Sequence, residues 1–265
     1  MAKIGFIGIG NMGYAMLSGL LEVYDKEELI YTDANPEAMK AVFEKTGVQY
    51  ALSNSECANS AEVIILAVKP QFYKPVLKNI ENMITRDKIV ISIAPGITIA
   101  SLQESLGPDA RIVRAMPNTP ALIGEGITGV SFNKDEFKSD EIKEIEKIFS
   151  SIGEMVFVDE KLMSCVTCAS GSSPAYVYMF IEAMADGVVK HGMPRDMAYK
   201  LVSQTLVGAA KMVLETGEHP GKLKDMVCSP GGTTIAGVAA LEENGFRNAV
   251  IKATDACYNK AERVL

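Results

Sequence analysis

Three glycines near the amino terminus, in Gly8-Ile9-Gly10-Asn11-Met12-Gly13, constrain this chain more than any other feature. The run matches G-x-G-x-x-G and is framed on both sides. Residues 3–7 are β-prone, residues 11–21 carry helical periodicity, and a second β-rich run arrives at 29–32. In a strand–turn–helix setting the first glycine permits a tight turn. The second lets main chain approach a pyrophosphate, and the third lets the helix pack close to the sheet. The helix start then offers unpaired N–H groups and a positive dipole end to the anion. Without its surroundings the pattern marks only tight turns. With them it predicts a dinucleotide site.

The rest of the first 159 residues extends that pattern. Short β-rich runs occur at 3–9, 29–32, 63–67, 88–93, 111–116, 127–132 and 155–158, separated by amphipathic windows such as 36–46 and 73–84. Ile64-Ile65-Leu66-Ala67-Val68 is continuously apolar, as a strand covered on both faces requires. The alternation predicts right-handed βαβ units in a Rossmann-type, doubly wound, mainly parallel sheet over residues 1–159. Beyond it the strand signals stop. Helices are expected at 160–192, 195–216, 220–228, 233–244 and 246–265, with stops at Gly192-Met193-Pro194 and Gly217-Glu218-His219-Pro220. Residues 160–265 therefore read as an all-helical second domain.

That helical half is too apolar for its size. Within 176–189 the charged residues are Glu182 and Asp186 alone, and within 206–214 only Lys211. Helices apolar most of the way round must be buried most of the way round. A domain of this length has little interior for two of them, so a second copy of the chain is expected to cover them, giving a homo-oligomer built from dimers. The alternative is that they pack under the α/β domain.

Composition narrows the class. A hydrophobic share of 48% with 22% charged residues excludes a disordered chain. With 33 acidic against 26 basic residues the net charge is −7, which argues against a nucleic-acid partner. The opening Met1-Ala2-Lys3 lacks the pattern of a signal peptide, and no uncharged apolar run reaches the roughly 18 residues of a membrane helix. Five cysteines, an odd number, suit reduced thiols, so the expected setting is cytoplasmic.

Two further places carry chemistry. Asp33 follows the second strand, about 20 residues after the glycines, where a carboxylate accepts hydrogen bonds from an adenine ribose 2′-hydroxyl. The same charge repels a 2′-phosphate, which favours NADH over NADPH. The other reading has Asp33 capping the helix that begins at Pro36 or pointing to solvent. In Ser229-Pro230-Gly231-Gly232-Thr233-Thr234, two glycines and two threonines follow a proline. Such a loop can gather backbone N–H groups into a nest for a carboxylate, with hydroxyls beside it. It can equally be a capped helix start. The physics of the sequence leaves these two even.

Along nearly its whole length the chain resembles the pyrroline-5-carboxylate reductases. The segments that carry the likeness are Ile4-Gly5-Phe6-Ile7-Gly8-Ile9-Gly10-Asn11-Met12, Ala67-Val68-Lys69-Pro70-Gln71, Arg114-Ala115-Met116-Pro117-Asn118-Thr119-Pro120, and the loop at 229–234 with its continuation to Gly245-Phe246-Arg247. Ser170-Gly171-Ser172-Ser173-Pro174-Ala175-Tyr176 also fits. The resemblance implies reduction of 1-pyrroline-5-carboxylate to L-proline with NADPH or NADH. It implies nucleotide contacts from Ile7, Gly8, Ile9, Gly10, Asn11, Met12, Asn35, Asn54, Ala67, Val68, Lys69 and Pro70, with Asn118 and Thr119 near the nicotinamide. It places the substrate on the loop containing Ser229, Gly231, Gly232, Thr233 and Thr234, with the Thr234 hydroxyl on the ring nitrogen as the catalytic contact. Met226 departs from members that carry an amide there.

The residues present suit that chemistry. A cyclic imine that enters protonated needs a hydroxyl, an anion nest and placement, and no strong acid or metal. His191 and His219 sit beside helix stops and read as surface or capping residues. The related β-hydroxyacid dehydrogenases use a lysine early in the long helix, and residues 172–182 contain none. Cys165-Val166-Thr167-Cys168 is an isolated C-x-x-C, read as buried inert thiols. The competing readings are a reductase of another cyclic imine or a small hydroxyacid, and an NAD(H)-sensing dimer without catalysis.

Overall fold

The computed structural model describes residues 2–263. Among the described residues seven strands form one sheet: β1 (Ala2–Ile7), β2 (Leu29–Thr32), β3 (Ala61–Leu66), β4 (Ile89–Ser92), β5 (Arg111–Met116), β6 (Gly126–Ser131) and β7 (Gly153–Phe157), in the order β2-β1-β3-β4-β5-β6-β7. Six helices accompany them: α1 (Asn11–Leu20), α2 (Pro36–Thr46), α3 (Asn54–Ser60), α4 (Tyr73–Ile80), α5 (Ile99–Leu106) and α6 (Ser139–Ser150). All pairings are parallel except β5 with β6. The connection between those two is a short 3₁₀ stretch at Thr119–Ile123. A parallel crossover needs about a dozen residues or more, so the chain turns back instead.

Alternation along the central strands builds a core on each face. Ile65, Ile91 and Val113 join Phe6, Leu17 and Phe149 on one side. Ile64, Leu66, Val90 and Ile112 join Ile7, Val76 and Leu102 on the other. Period-two side chains buried on both faces are what the continuous apolar run at 64–68 encodes. Burial of each such side chain contributes on the order of 1.5–3 kcal/mol.

Local signals place several helix ends. Asn35 caps α2 by accepting the N–H groups of Glu37 and Ala38 at 3.0 and 3.3 Å, with Pro36 in the first turn and Gly47 closing the helix at φ +71°. Asp33 is not that cap.

Helices fill the second half, as expected from its sequence, with one correction. The stretch 160–192 is not one helix. A 3₁₀ turn (Glu160–Leu162), a short α7 (Met163–Val166) and a π turn (Thr167–Gly171) precede α8 (Ser173–Val189). Thr167, Ser170 and Ser173 each turn their hydroxyl back to the carbonyl four residues earlier, which loosens the helical ladder. Then follow α9 (Arg195–Thr216), α10 (Pro220–Val227), α11 (Thr233–Glu243) and α12 (Phe246–Glu262). The expected end of α12 at residues 264–265 lies outside the described residues. No described helix is long and apolar enough to cross a membrane.

By contacts the chain divides into two compact units: residues through Pro174 with those from Cys257 onward, and Ala175–Ala256. The second unit has almost no interior of its own. The residues buried in α8 and α9 are Ala185, Ala198 and Val202, and α10 and α11 bury none. Tyr178, Met179, Leu214 and Ile251 stand more than half exposed. A cluster of helices with so little buried surface falls short of the core a stable unit needs.

Candidate active site

The glycine turn begins where β1 ends. Ile7 closes the strand, two residues before the expected end at Ile9, because the chain leaves the sheet at Gly8 with φ +101°. A side chain on Gly8 would run into the carbonyl of Ala67, with its Cβ 2.8 Å from that oxygen. One on Gly13 would overlap the carbonyl of Gly8. Those two glycines are therefore required by the fold. Gly10 differs: it is the extended N-cap residue of α1, and a Cβ there meets nothing within 4 Å. The space above Gly10 is open, as a pyrophosphate resting on the first turn of α1 requires.

Three cavities border this turn, and two of them are shared with the segment that follows β3. One, of about 390 Å³, is lined by Ile7, Gly8, Gly10, Asp33, Asn54, Ala67, Val68 and Lys69, together with Ala34 and side chains of α4. The other, of about 620 Å³, is lined by Gly10, Asn11, Met12, Ala67, Val68, Lys69, Pro70 and by Ile93, Ala94, Pro95 and Pro117. The sheet order explains the arrangement. β3 lies beside β1 and β4 beside β3, so the segments leaving their carboxyl ends converge on the glycines. The motifs in the sequence carry no signal for Phe72, Asn79 or Ile93-Ala94-Pro95, because these reach the cavities from α4 and the turn before it and from the end of β4.

Asp33 is half-buried at the edge of the first cavity and already bonded to main chain. Its Oδ2 accepts the Ile9 N–H at 2.8 Å and its Oδ1 the Asn35 N–H at 2.9 Å. The carboxylate thus ties the end of β2 to the glycine turn while keeping its charge at the cavity. Asn54 opens α3, with Ser53 as the cap. The far end of α3 is held by buried Lys88, whose Nζ donates to Ala58 O at 2.9 Å and to Ala61 O. Of the remaining expected nucleotide contacts, Ile9 faces the third hollow, which Gly10 and Asn11 also line, with Tyr14 and Lys45, and Asn35 spends its carbonyl on the α2 cap. Asn118 is buried and its Oδ1 accepts the Ile127 N–H at 3.0 Å, while Thr119 is exposed. Neither Asn35, Asn118 nor Thr119 lines the two cavities.

The segment Arg114–Pro120 is anchored from behind. Arg114 is buried in β5 and pairs with Glu160 at 3.1 Å, and Glu160 also accepts the Ile99 N–H at 2.8 Å.

The threonine loop belongs to the second unit. Pro230 and Gly231 form the corner of a turn closed by Gly232 N–H to Ser229 O at 3.0 Å, with Gly231 at φ +67°. Proline followed by a positive-φ glycine is the signature of a type II turn. Gly232 is the N-cap of α11 and no side chain caps the helix, so the reading of Thr233 or Thr234 as the cap does not hold. The turn consumes the Gly232 N–H. The unpaired donors of the first helical turn are those of Thr233, Thr234 and Ile235. Thr234 is half-buried, whereas Ser229, Gly231, Thr233 and Met226 are exposed.

Other candidates resolve into structural roles. His219 caps α10, its Nδ1 accepting the Gly221 N–H at 3.0 Å. Cys168 is buried, and burial, reinforced by the neighbouring Cys257 thiol, pushes its pKa up to about 12. Such a thiol is inert. Cys165, expected to be buried, is exposed, because positions three apart across the α7–π junction do not share one inward face.

Comparison with known proteins extends over both halves. Residues 160–264 match the family model described as pyrroline-5-carboxylate reductase dimerisation, and residues 3–96 the one described as NADP oxidoreductase, coenzyme F420-dependent. The chain is 49% identical over 265 residues to the pyrroline-5-carboxylate reductase of Escherichia coli (strain K12), covering 99% of this chain and 98% of that one. It is 40% identical to the Pisum sativum enzyme of the same description, covering 98% and 95%. Among solved structures, Plasmodium falciparum pyrroline carboxylate reductase with NADP bound matches with a TM-score of 0.91 at 37% identity, covering 99% of this chain and 98% of that one.

Proposed function

The chain belongs to the pyrroline-5-carboxylate reductase family, and we infer from that membership that it reduces 1-pyrroline-5-carboxylate to L-proline. The observation that carries the reading is likeness spanning 99% of the chain at 49% identity, glycine turn and threonine loop included. Reductases of other imines or hydroxyacids and a non-catalytic NAD(H) sensor have no such support. The direct test is oxidation of NADH by the purified chain with pyrroline-5-carboxylate and, separately, with 2-keto acids. Turnover of the keto acids alone would overturn the assignment.

By the boundary of the matched family model the nucleotide domain is residues 1–159 and residues 160–265 serve dimerisation and substrate binding, although residues 160–174 and those from Cys257 onward belong to the first compact unit. A reduced nicotinamide nucleotide, when bound, supplies the hydride. Gly10 and the start of α1 receive its pyrophosphate, Asp33 and Asn54 border the adenosine end, and Ala67–Pro70 form the wall between the two cavities. Resemblance alone assigns Asn35, Asn118 and Thr119 to the same nucleotide. On the substrate side, the N–H groups of Thr233, Thr234 and Ile235 hold the carboxylate, and Thr234 Oγ1 orients the ring nitrogen. The imine carbon gains the hydride and the nitrogen keeps its proton, so the step balances without a metal. An acidic chain with free thiols suits a cytoplasmic enzyme without a nucleic-acid partner.

NADH is the preferred nucleotide in this reading, because the Asp33 carboxylate repels a 2′-phosphate. Asp33→Ser is expected to raise the ratio of kcat/KM for NADPH over NADH on the order of tenfold, equivalent to about 1.4 kcal/mol. The KM for NADH should rise too, since the bond to Ile9 N–H is lost. A wild-type preference for NADPH, or a ratio unmoved by the substitution, would place the ribose elsewhere.

The chain assembles as a homo-oligomer through the apolar faces of α8 and α9. Light scattering at micromolar concentration is expected to give a dimer or a multiple of it. A stable monomer would refute the interface, because obligate interfaces of this apolar character do not come apart at that concentration.

A further inference from the structure

We propose that Tyr73 is a positioning residue for the nicotinamide half of the cofactor, acting by clasping the carboxyl ends of β3 and β4. The inference rests on the nucleotide-binding reading above. Tyr73 is 3% exposed, at the start of α4, and nothing in the sequence motifs marks it. Its hydroxyl donates to Leu66 O at 3.0 Å, and the Ser92 hydroxyl lies 2.9 Å away. A phenol has one proton, so with that proton on Leu66 the serine must be the donor in the second bond. Burial holds the pKa of the phenol well above its ordinary value. The oxygen stays neutral, with its acceptor capacity directed at β4.

The placement gives the clasp its purpose. Leu66 is the last residue of β3 and Ser92 the last of β4. The residues that follow each, Ala67–Pro70 and Ile93–Pro95, both line the 620 Å³ cavity beside Gly10 and Met12. The acidic residue after β2 marks the adenosine end of such a crevice, so this second cavity falls to the nicotinamide. Between the two segments the direct main-chain link is a long one, Ile93 N–H to Leu66 O at 3.3 Å. The phenol oxygen supplements it from behind. Phenylalanine would fill the same volume, so packing alone does not call for the hydroxyl.

The test uses Tyr73→Phe and Ser92→Ala in the full chain, titrated calorimetrically with NADH and with ADP-ribose, which lacks the nicotinamide. Tyr73→Phe is expected to weaken NADH roughly five- to tenfold while ADP-ribose stays within twofold of wild type. Ser92→Ala should move NADH in the same direction by less, since the bond to Leu66 survives. Equal weakening of both ligands would mean a purely structural role, and unchanged NADH affinity in either folded variant would overturn the clasp. If Tyr73→Phe does not fold, Ser92→Ala decides by the same criteria. Neither titration involves the imine, so failure here is distinguishable from failure of the assigned reaction, which wild-type turnover reports.

Discussion

Gly10→Val is expected to abolish nucleotide binding while leaving the fold intact. The two effects separate because of where the new atoms go. Gly10 has φ −65° and ψ −168°, a conformation open to any residue, and its Cβ would meet no protein atom within 4 Å. The valine therefore costs the folded chain little, and its branches occupy the space above the first turn of α1. A pyrophosphate that relies on close approach to that main chain is displaced. Loss of at least 100-fold in NADH affinity is expected, about 2.7 kcal/mol, with the melting temperature close to wild type. Valine at Gly8 or Gly13 should instead unfold the domain, because there the Cβ collides with main chain. Titration calorimetry that finds wild-type NADH affinity in Gly10→Val would remove this turn from the site.

Thr234→Ala is expected to lower kcat/KM for pyrroline-5-carboxylate by roughly ten- to a hundredfold, about 1.5–3 kcal/mol, with NADH binding nearly unchanged. The hydroxyl takes no part in capping α11, whose N-cap is Gly232, so its removal has little reason to destabilise the helix. The main-chain donors for the carboxylate survive the substitution. What is lost is orientation of the ring nitrogen. A capping role would give the opposite pattern, a stability loss of about 1 kcal/mol with kcat/KM preserved. Melting temperature and steady-state kinetics on the one variant distinguish the two, and a destabilised enzyme with wild-type kcat/KM would end the catalytic assignment.

Features decided within a few residues are the ones a reader of the sequence can recover. The glycine turn and the stop at Gly217 depend on φ angles and on donors two to four positions away. Residues 64–66 carry their two-sided burial in their own composition, and the apolar run continues to 68 past the end of β3. Where local preferences compete, periodicity alone misplaces the element. Residues 160–192 have helical periodicity, yet the hydroxyls of Thr167, Ser170 and Ser173 compete for the ladder and the helix breaks into four pieces.

The candidate residues divide in the same way. The glycines, the threonines and the carboxylate of Asp33 are visible as residue types at telling spacings. That Asp33 spends bonds on the Ile9 main chain 24 positions away is invisible until the sheet is assembled. The same holds for Tyr73 meeting Ser92, Arg114 meeting Glu160, and Lys88 closing the end of α3. A side chain's type and its neighbours in sequence set what it can bond. The order of strands sets what it does bond, because the close approach of β3 and β4 to β1 is a property of the sheet and of no single segment.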